Sequence, residues 1–327
     1  MKQSFKSFNR DVLIILDPES ACNRIASKVY SDVTARLHRT GGIVGISGGI
    51  DSSVILALAV KAFGADKILG IMLPEKDSSP DSARLAGELA KKFEVVTITE
   101  NITAALEGFG CYKRRDEAVK SVFEEYDPAS YKMKIGLKDS GLYSNLPPLF
   151  HLTIIDSVGN EKSKRLPAAA YRQIVAASNI KQRCRMSMLY YHAERLHYAV
   201  IGTPNKHEVD QGFFVKYGDG GADVQPIGHL YKTQVYQLGK YLGIPQEIID
   251  RTPTTDTYTA EQTQEEFFYQ LPFEQMDLIW YAYENVCDPE QVAQVMNKRP
   301  DEIRSIFINF ERKSRTTEYL RMAPIRE

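Results

Sequence analysis

The sequence lacks the features by which several protein classes are recognised. Its four cysteines have no C-x-x-C spacing, which indicates neither a zinc site nor a disulfide framework; they are Cys22, Cys111, Cys184 and Cys287. No apolar run reaches the roughly 18–20 residues needed to cross a bilayer. No small-residue cleavage site of the signal-peptide kind lies near the start. We therefore expect a cytoplasmic protein with no membrane association.

An excess of charge of one sign is also lacking. Lys and Arg number 41 and Asp and Glu 42, so the formal net charge is −1. A near-neutral chain has no overall electrostatic attraction to nucleic acid, and we expect none as a partner. Of its 327 residues, 43% are hydrophobic and 25% charged, which is the balance of a folded protein with a substantial core.

Short apolar strands alternate with amphipathic helices along most of the chain. The predicted strands are 43–46, 68–73, 94–98 and 198–201. The predicted helices are 20–39, 54–63, 79–93, 168–193 and 230–242, followed by a helical C-terminal region at 262–280 and 289–310. Such alternation is typical of a parallel sheet with right-handed crossovers. We predict an α/β fold with a doubly wound, mainly parallel sheet and flanking helices.

Residues 112–168 interrupt this alternation. They begin with a charged helix at 113–117, continue through a tyrosine-rich stretch to Pro147-Pro148, and end in a strand, a turn and a strand over 151–166. We interpret them as an inserted helix-plus-hairpin segment within one domain of residues 1–327.

A glycine-rich turn joins the first predicted strand to the next helix. It consists of Gly45, Ile46, Ser47, Gly48, Gly49, Ile50, Asp51, Ser52 and Ser53. Glycines let backbone N–H groups converge on an anion, and the helix start adds partial positive charge. Asp51 would repel a bare phosphate, so its presence indicates a bridging divalent cation. A tight connection that merely needs glycine is the other interpretation.

Two familiar phosphate motifs are missing from this turn. No Gly-Lys-Ser/Thr follows, so the turn is not a Walker A loop. No G-x-G-x-x-G is present, which argues against a dinucleotide redox fold.

Further polar blocks follow residue 178. Lys181 and Arg185 share a helix face at i, i+4 spacing, a pattern that a solvated basic helix would also produce. The strand at 198–201 leads to Thr203 and Glu208. Two strand ends that each present a hydroxyl and a carboxylate are where a doubly wound sheet binds a nucleotide and its metal.

The last blocks combine cations, acids and hydroxyls. Lys216 and Asp223 lie in a glycine-rich loop at 212–223, and Thr254 lies on a proline-containing turn. Lys232 lies near the start of a helix, where a lysine opposes the helix dipole and so indicates a bound anion.

The order of these blocks closely resembles the NAD synthetases, within the N-type ATP pyrophosphatases. The matching blocks are S-G-G-I-D-S (47–52), N-x-K-x-R-x-R-M (179–186), G-T-x-N-x-x-E (202–208), G-F-x-x-K-Y-G-D-G-G-A-D (212–223), P-I-x-x-L-x-K-T-x-V (226–235) and P-T-x-D (253–256). The resemblance implies an adenine nucleotide alpha hydrolase-like fold. It also implies a carbon–nitrogen ligase in NAD biosynthesis: ATP adenylates the carboxylate of deamido-NAD, magnesium-bound pyrophosphate leaves, and ammonia forms the amide.

The resemblance also implies residue roles. ATP would contact the turn 45–53 with Thr203, Lys232 and Thr254. Asp51 and Lys232 would be catalytic, and Asp51 and Glu208 would hold Mg²⁺. Arg183, Lys216 and Asp223 would face deamido-NAD. The family further implies a homodimer.

Two features depart from the family pattern. Tyr319-Leu320 lie where the family usually carries a His-Lys pair, and residues 112–168 have no counterpart in its compact bacterial members. Residues 1–40 are too short for the glutaminase domain of glutamine-dependent relatives. The nitrogen source is therefore free ammonia or a separate ammonia donor.

Three other functions remain open at this point. The first is a related ATP-dependent amide ligase that adenylates a different carboxylate. The second is a tRNA-modifying enzyme built on the same loop, although no catalytic cysteine pair or basic tail is present. The third is a degenerate nucleotide-binding or regulatory protein.

Overall fold

The structure is a computed structural model that describes residues 7–137, 149–254 and 257–326. Pro147-Pro148, Thr255 and Asp256, which the sequence interpretation used, lie outside the described residues.

Four parallel strands form the central sheet, in the order β3–β2–β1–β7. They are β1 (Gly42–Gly45), β2 (Ile68–Met72), β3 (Val96–Thr99) and β7 (Ala199–Val200). In the register, Ile43 of β1 lies between Leu69 of β2 and Val200 of β7. The predicted strands therefore form the predicted parallel sheet.

Helices surround this sheet and continue beyond it. The helices before β7 are α1 (Pro18–Ser31), α2 (Ile50–Phe63), α3 (Pro80–Lys92), α4 (Thr103–Gly108), α5 (Cys111–Lys120) and α6 (Ala168–Leu196). Those that follow are α7 (Lys206–Gln211), α8 (Lys232–Tyr241), α9 (Gln246–Asp250), α10 (Phe273–Glu284), α11 (Pro289–Met296), α12 (Pro300–Thr316) and α13 (Glu318–Arg321).

Both faces of the sheet are covered, because successive strand residues point to opposite sides. Val44 of β1 lies in a buried cluster with residues of α1, α2, α3 and α8. Its neighbour Ile43 lies in a second cluster with residues of α4, α5 and α6. The sheet is thus doubly wound, which confirms the predicted fold class.

The inserted segment contains a separate antiparallel sheet of three strands, β4 (Tyr131–Leu137), β5 (Phe150–Asp156) and β6 (Glu161–Arg165). The predicted strand–turn–strand corresponds to β5 and β6, while β4 was not predicted. This sheet shares a buried cluster with Ala170 and Ile174 of α6. The backbone N–H of Ala260 also donates to Met133 O at 3.1 Å. The segment therefore packs on the core helix α6 and on the chain after α9.

Several predicted element bounds were wrong for local reasons. Helix α2 begins at Ile50 rather than at residue 54, because the chain already turns at Gly49. The helix predicted at 262–280 is divided, since Gln270 has a left-handed φ of 62° and Pro272 precedes α10. The helix predicted at 289–310 is divided at Asn297, which has a left-handed φ of 53°.

Within the described ranges, no helix combines the length and the apolar character that a membrane span requires.

We expect Ile55→Ala to lower the free energy of unfolding by about 2–5 kcal/mol, because it leaves a cavity between α2 and the sheet. Ile55 is 0% exposed, whereas Ile308 on α12 is 46% exposed. Ile308→Ala is therefore the matched control and should change stability by less than about 0.5 kcal/mol. Urea unfolding of both variants measures the difference; equal losses would contradict the placement of α2 in the core.

Candidate active site

A cavity of about 270 Å³ opens where strands β1, β2 and β7 end. Its walls include Gly45 and Ile46 at the end of β1, Met72 and Leu73 at the end of β2, and Thr203 after β7. Met186 and Leu189 of α6 add apolar surface. The carboxyl ends of parallel strands are where doubly wound sheets bind ligands.

A second, polar cavity of about 160 Å³ continues from the first. The two share the lining residues Ser47, Ser52, Ser82, Thr203 and Thr254. The smaller cavity adds Asp51, Glu208, Lys232 and Arg251, so its wall carries both charge signs. A ligand with one apolar and one anionic end fits this joined space.

The glycine-rich turn owes its shape to Gly48. Its φ is +73°, and an added Cβ would lie 2.7 Å from Ser82 O and 3.0 Å from Leu85 Cβ. Gly49 then caps α2, with a φ of −91°. Asp51, Ser52 and Ser53 consequently occupy the first turn of the helix, where backbone N–H groups lack helical partners.

The hydroxyls of this turn differ in availability. Ser52 and Ser53 both donate to Gly49 O, at 3.0 and 2.8 Å. Ser47 Oγ lies 3.2 Å from Ser52 Oγ, and both residues line the two cavities. Ser53 is buried, and neither Ser53 nor Gly48 lines either cavity. These two residues, which were predicted to contact ATP, instead support the backbone of the turn.

Three charged side chains meet in the smaller cavity. Lys232 Nζ forms an ion pair with Asp51 Oδ2, and the Lys232 side chain is buried. Asn205 links the two carboxylates: its side-chain amide donates to Asp51 Oδ1 at 3.2 Å, and its backbone N–H donates to Glu208 Oε2 at 2.9 Å. Asn205 was quoted in the sequence motif but given no role.

The electrostatics of this group depend on burial. Burial, and next the negative charge of Asp51, raise the pKa of Glu208 to about 8, although Lys232 acts in the opposite direction. Burial alone would lower the pKa of Lys232, but Asp51 and Glu208 outweigh it and raise that pKa. Lys232 therefore carries its charge.

The donor set of this cavity fits a magnesium ion. Mg²⁺ is usually held by one or two carboxylates and completes its shell with water and substrate phosphates. Asp51 and Glu208 supply two carboxylates on the wall of one cavity. The part of the chain that the structure describes contains no cluster of three or more His, Cys, Asp or Glu side chains suited to a metal. The site thus fits a cation shared with phosphate rather than a closed protein cage.

Helix α10 contacts the two helices that carry Glu208 and Lys232, which are α7 and α8. Asp277 is buried; its Oδ1 lies 2.5 Å from His207 Nε2 of α7, and its Oδ2 accepts from Thr233 N of α8 at 2.6 Å. His207 precedes Glu208, and Thr233 follows Lys232. The sequence reasoning missed Asp277, and no local pattern marks it, because its partners are distant in sequence.

Arg251 is another missed residue. It lines the smaller cavity, and its Nη2 donates to Ser82 Oγ at 3.0 Å. The sequence could have indicated Arg251 as a site residue, because it directly precedes the turn Thr252-Pro253-Thr254.

The three residues expected to face deamido-NAD do not converge within this chain. Arg183 is exposed on α6 and lines neither of the two cavities, whereas Arg185 lines the larger one. Lys216 Nζ donates to Tyr319 O and Met322 O, at 2.9 and 2.8 Å, and so fastens the C-terminal segment. Asp223 lines a third cavity of about 720 Å³ beside Arg24, Lys28 and Arg36. The assignment of these residues to the acid substrate stays a prediction.

The sheet, the glycine turn and the joined cavities define a nucleotide-binding protein of the adenine nucleotide alpha hydrolase-like fold. The family model for NAD synthase matches residues 21–146 and 151–323. The chain therefore belongs to the NAD synthase family.

Curated relatives agree with this membership over nearly the whole chain. An NH₃-dependent NAD⁺ synthetase of Mesorhizobium japonicum is 45% identical over 313 residues, covering 96% of this chain and 98% of the relative. One of Methanocaldococcus jannaschii is 31% identical and covers 88% and 90%. The ranges that the family model matches include residues 112–146 and 151–168 of the inserted segment.

Solved structures show the same fold. An NMN synthetase of Francisella tularensis matches with a TM-score of 0.63 and 22% identity, covering 96% of this chain and 99% of the neighbour. An NH₃-dependent NAD synthetase of Campylobacter jejuni matches with a TM-score of 0.62 and 18% identity, covering 96% and 100%.

We expect Gly48→Ala to destabilise the protein more than Gly49→Ala. The left-handed backbone alone costs a residue with a side chain about 1–2 kcal/mol, and the new Cβ would also press on Ser82 O. At Gly49 the nearest atom to an added Cβ is Ser47 Oγ at 3.4 Å, which is ordinary contact. Thermal unfolding of the ligand-free variants tests this; a loss at Gly49 equal to that at Gly48 would contradict the turn geometry.

Proposed function

We propose that this protein forms NAD from deamido-NAD, ATP and ammonia, with Mg²⁺, in the cytoplasm. The observation that carries the proposal is the joined pair of cavities at the strand ends. They bring Asp51, Glu208 and Lys232 together beside a glycine turn whose helix start favours anions.

The shape of the joined cavities supports an orientation for ATP. The larger one has apolar walls from Ile71, Met72 and Leu189 and accommodates the adenosine. The smaller one carries Lys232 and Arg251 with the turn residues Gly49 and Ser52, and accommodates the phosphates. The α-phosphate then lies at the junction, near Ser47 and Thr203.

The reaction proceeds in two steps. A carboxylate oxygen of deamido-NAD attacks the α-phosphorus, and the bond to the bridging oxygen breaks, which releases pyrophosphate and leaves an acyl-adenylate. Ammonia then attacks the acyl carbon, AMP leaves with its phosphate oxygen, and a proton is lost as the amide forms. Asp51 and Glu208 would hold a magnesium ion, which would supply charge neutralisation for the departing pyrophosphate.

Lys232 and the start of α2 act on the same developing charge. The Lys232 ammonium is held by Asp51, so it is oriented before ATP arrives. A preoriented cation in a buried site stabilises a transition state more than a mobile one in water. The Ser47 hydroxyl and the N–H groups of the first turn add donors for phosphate oxygens.

The third cavity supports a place for the acid substrate. Arg24, Lys28 and Arg36 line it with Asp223, and deamido-NAD carries a pyrophosphate and a carboxylate that basic side chains would bind. Asp223 N donates to Val200 O, and Val200 lines the proposed ATP cavity, so this backbone hydrogen bond joins the walls of the two cavities. Exposed Arg183 would reach this substrate from a second copy, in a homodimer.

A different carboxylate substrate is the second candidate. Tyr319-Leu320 replace the polar pair of the family pattern, and one of the matching solved structures is an NMN synthetase. Release of AMP and amide should be measured with ATP, Mg²⁺ and ammonium, in parallel with deamido-NAD, the acid form of NMN and unrelated acids. The proposal expects the highest kcat/KM with deamido-NAD.

Replacement of ammonium by glutamine should abolish turnover unless a separate donor is added.

Asp51→Asn and Glu208→Gln should each reduce kcat by about 100-fold or more, because each removes a charge that the metal–pyrophosphate complex needs. Glu208→Gln keeps an oxygen that can accept from Asn205 N, so α7 should remain capped. Asp301→Asn, at a carboxylate whose side chain is 92% exposed, is the control and should keep wild-type activity. Near-normal turnover of either site variant at ordinary magnesium would rule out the metal assignment.

Arg183→Ala and Arg185→Ala should separate the two substrates. Arg185 lines the nucleotide cavity, so its loss should raise the KM for ATP. Loss of Arg183 should instead raise the KM for deamido-NAD about tenfold, since a charge-assisted contact contributes about 1.5–3 kcal/mol. Steady-state kinetics with each substrate varied in turn measures both. If Arg183→Ala weakens ATP as much as the acid, Arg183 does not belong to the acid site.

A further inference from the structure

Lys181 is a buried lysine that the proposed reaction does not use. It lies in the middle of α6 with 1% of its surface exposed. Its ammonium donates to Glu75 Oε1 at 2.8 Å, to Asp77 Oδ2 at 2.9 Å and to Thr257 O at 3.0 Å. These three acceptors match the three hydrogens of an ammonium group.

The acceptors belong to two separate stretches of chain that flank the nucleotide cavities. Glu75 and Asp77 lie in the loop 73–79 after β2, which lines the larger cavity through Leu73, Pro74, Ser78 and Ser79. Thr257 follows the stretch 251–254, which lines the smaller cavity. Lys181 lines neither cavity, yet it contacts both stretches.

The first of these loops is also fastened from the inserted segment. Arg115 Nη1 of α5 donates to Asp77 Oδ2 at 2.5 Å, and Tyr112 donates to Glu75 Oε2 at 2.8 Å. Burial would raise the pKa of Asp77, but Lys181 and Arg115 outweigh it and hold that pKa below its usual value. Arg115 and Tyr112 thus secure the loop 73–79 to α5, whereas Lys181 alone of these three residues also reaches Thr257.

We propose that Lys181 is a positioning residue for ATP, which holds the loop 73–79 and the chain around Thr257 at the spacing that the nucleotide requires. The inference rests on the ATP placement under Proposed function. The buried Lys181 ammonium is bonded to two carboxylates and a carbonyl. Its removal leaves each of the two buried carboxylates with one partner fewer. The two stretches of chain can then shift independently of each other. Part of the free energy of ATP binding would then be spent on restoring their spacing.

The test compares Lys181→Met with Arg115→Met. Each replaces a buried cation of the same cluster by an unbranched apolar side chain, and both should lower the melting temperature. Only Lys181→Met removes the contact with Thr257. If the correct spacing falls to about a tenth of the molecules, the Kd for ATP in the presence of Mg²⁺ rises about tenfold. Arg115→Met should change this Kd by less than about threefold.

Steady-state kinetics distinguishes a positioning role of Lys181 from a purely structural one, because only the former changes the KM for ATP. Lys181→Met should raise the KM for ATP by at least the factor by which it lowers kcat, and leave the KM for deamido-NAD near its wild-type value. Lys181→Arg, which keeps the charge, should recover part of the ATP affinity. A variant that merely loses folded molecules would lower kcat alone.

Two results would overturn the proposal: an unchanged Kd for ATP in folded Lys181→Met, or equal rises in Lys181→Met and Arg115→Met. Should Lys181→Met fail to fold, the Kd for ATP of Lys181→Arg and of Glu75→Gln, measured by calorimetric titration with Mg²⁺, decides. Both are expected to weaken ATP binding several-fold, and wild-type affinity in both would overturn the proposal. A wild-type protein that binds no ATP would instead refute the ATP placement, which is a separate result.

Discussion

The ion pair between Asp51 and Lys232 is the interaction on which the site depends. It joins side chains 181 positions apart, one from the first turn of α2 and one from the first turn of α8. A lysine at a helix start opposes the helix dipole, and Lys232 is buried as well, so only the nearby carboxylates keep it charged there. Asn205 donates hydrogen bonds to both Asp51 and Glu208 and so keeps the two carboxylates close together. The arrangement keeps side chains of both charge signs together at the ends of the strands.

The C-terminal helices are part of this arrangement rather than an appendage. Asp277 of α10 satisfies a backbone N–H at the start of α8 and contacts His207 of α7. One carboxylate therefore fixes the relative position of the helices that carry Lys232 and Glu208. The cluster that surrounds Asp277 also includes Trp280, Ile306 and Phe310, so the apolar packing of α10 and α12 bears on the geometry of the charged cavity.

The inserted segment is likewise connected to the core. An inserted segment whose ends meet adds little closure entropy, so removal of residues 112–168 would be expected to leave the parent fold intact. The structure argues against this for the first part of the segment, because Arg115 is buried and bound to Asp77 beside the nucleotide cavity. The antiparallel sheet β4–β6 is the more separate part, although Met133 of β4 bonds to Ala260 and packs with α6. Helix α5 thus contacts the loop beside the larger cavity, whereas the antiparallel sheet packs on α6 and on the chain at Ala260.

The sequence by itself determined the parallel α/β sheet, the glycine turn and the order of the polar blocks, because all three are local patterns of hydrophobic period and turn chemistry. It also placed Thr203, Glu208 and Lys232 at strand ends and helix starts, which a doubly wound sheet necessarily brings to one edge. It did not determine that β4 exists, or that Asp277, Arg251 and Lys181 contact distant parts of the site. Those features depend on partners far apart in the chain. Burial and hydrogen bonding between distant segments have no local pattern, so only the tertiary structure could decide them.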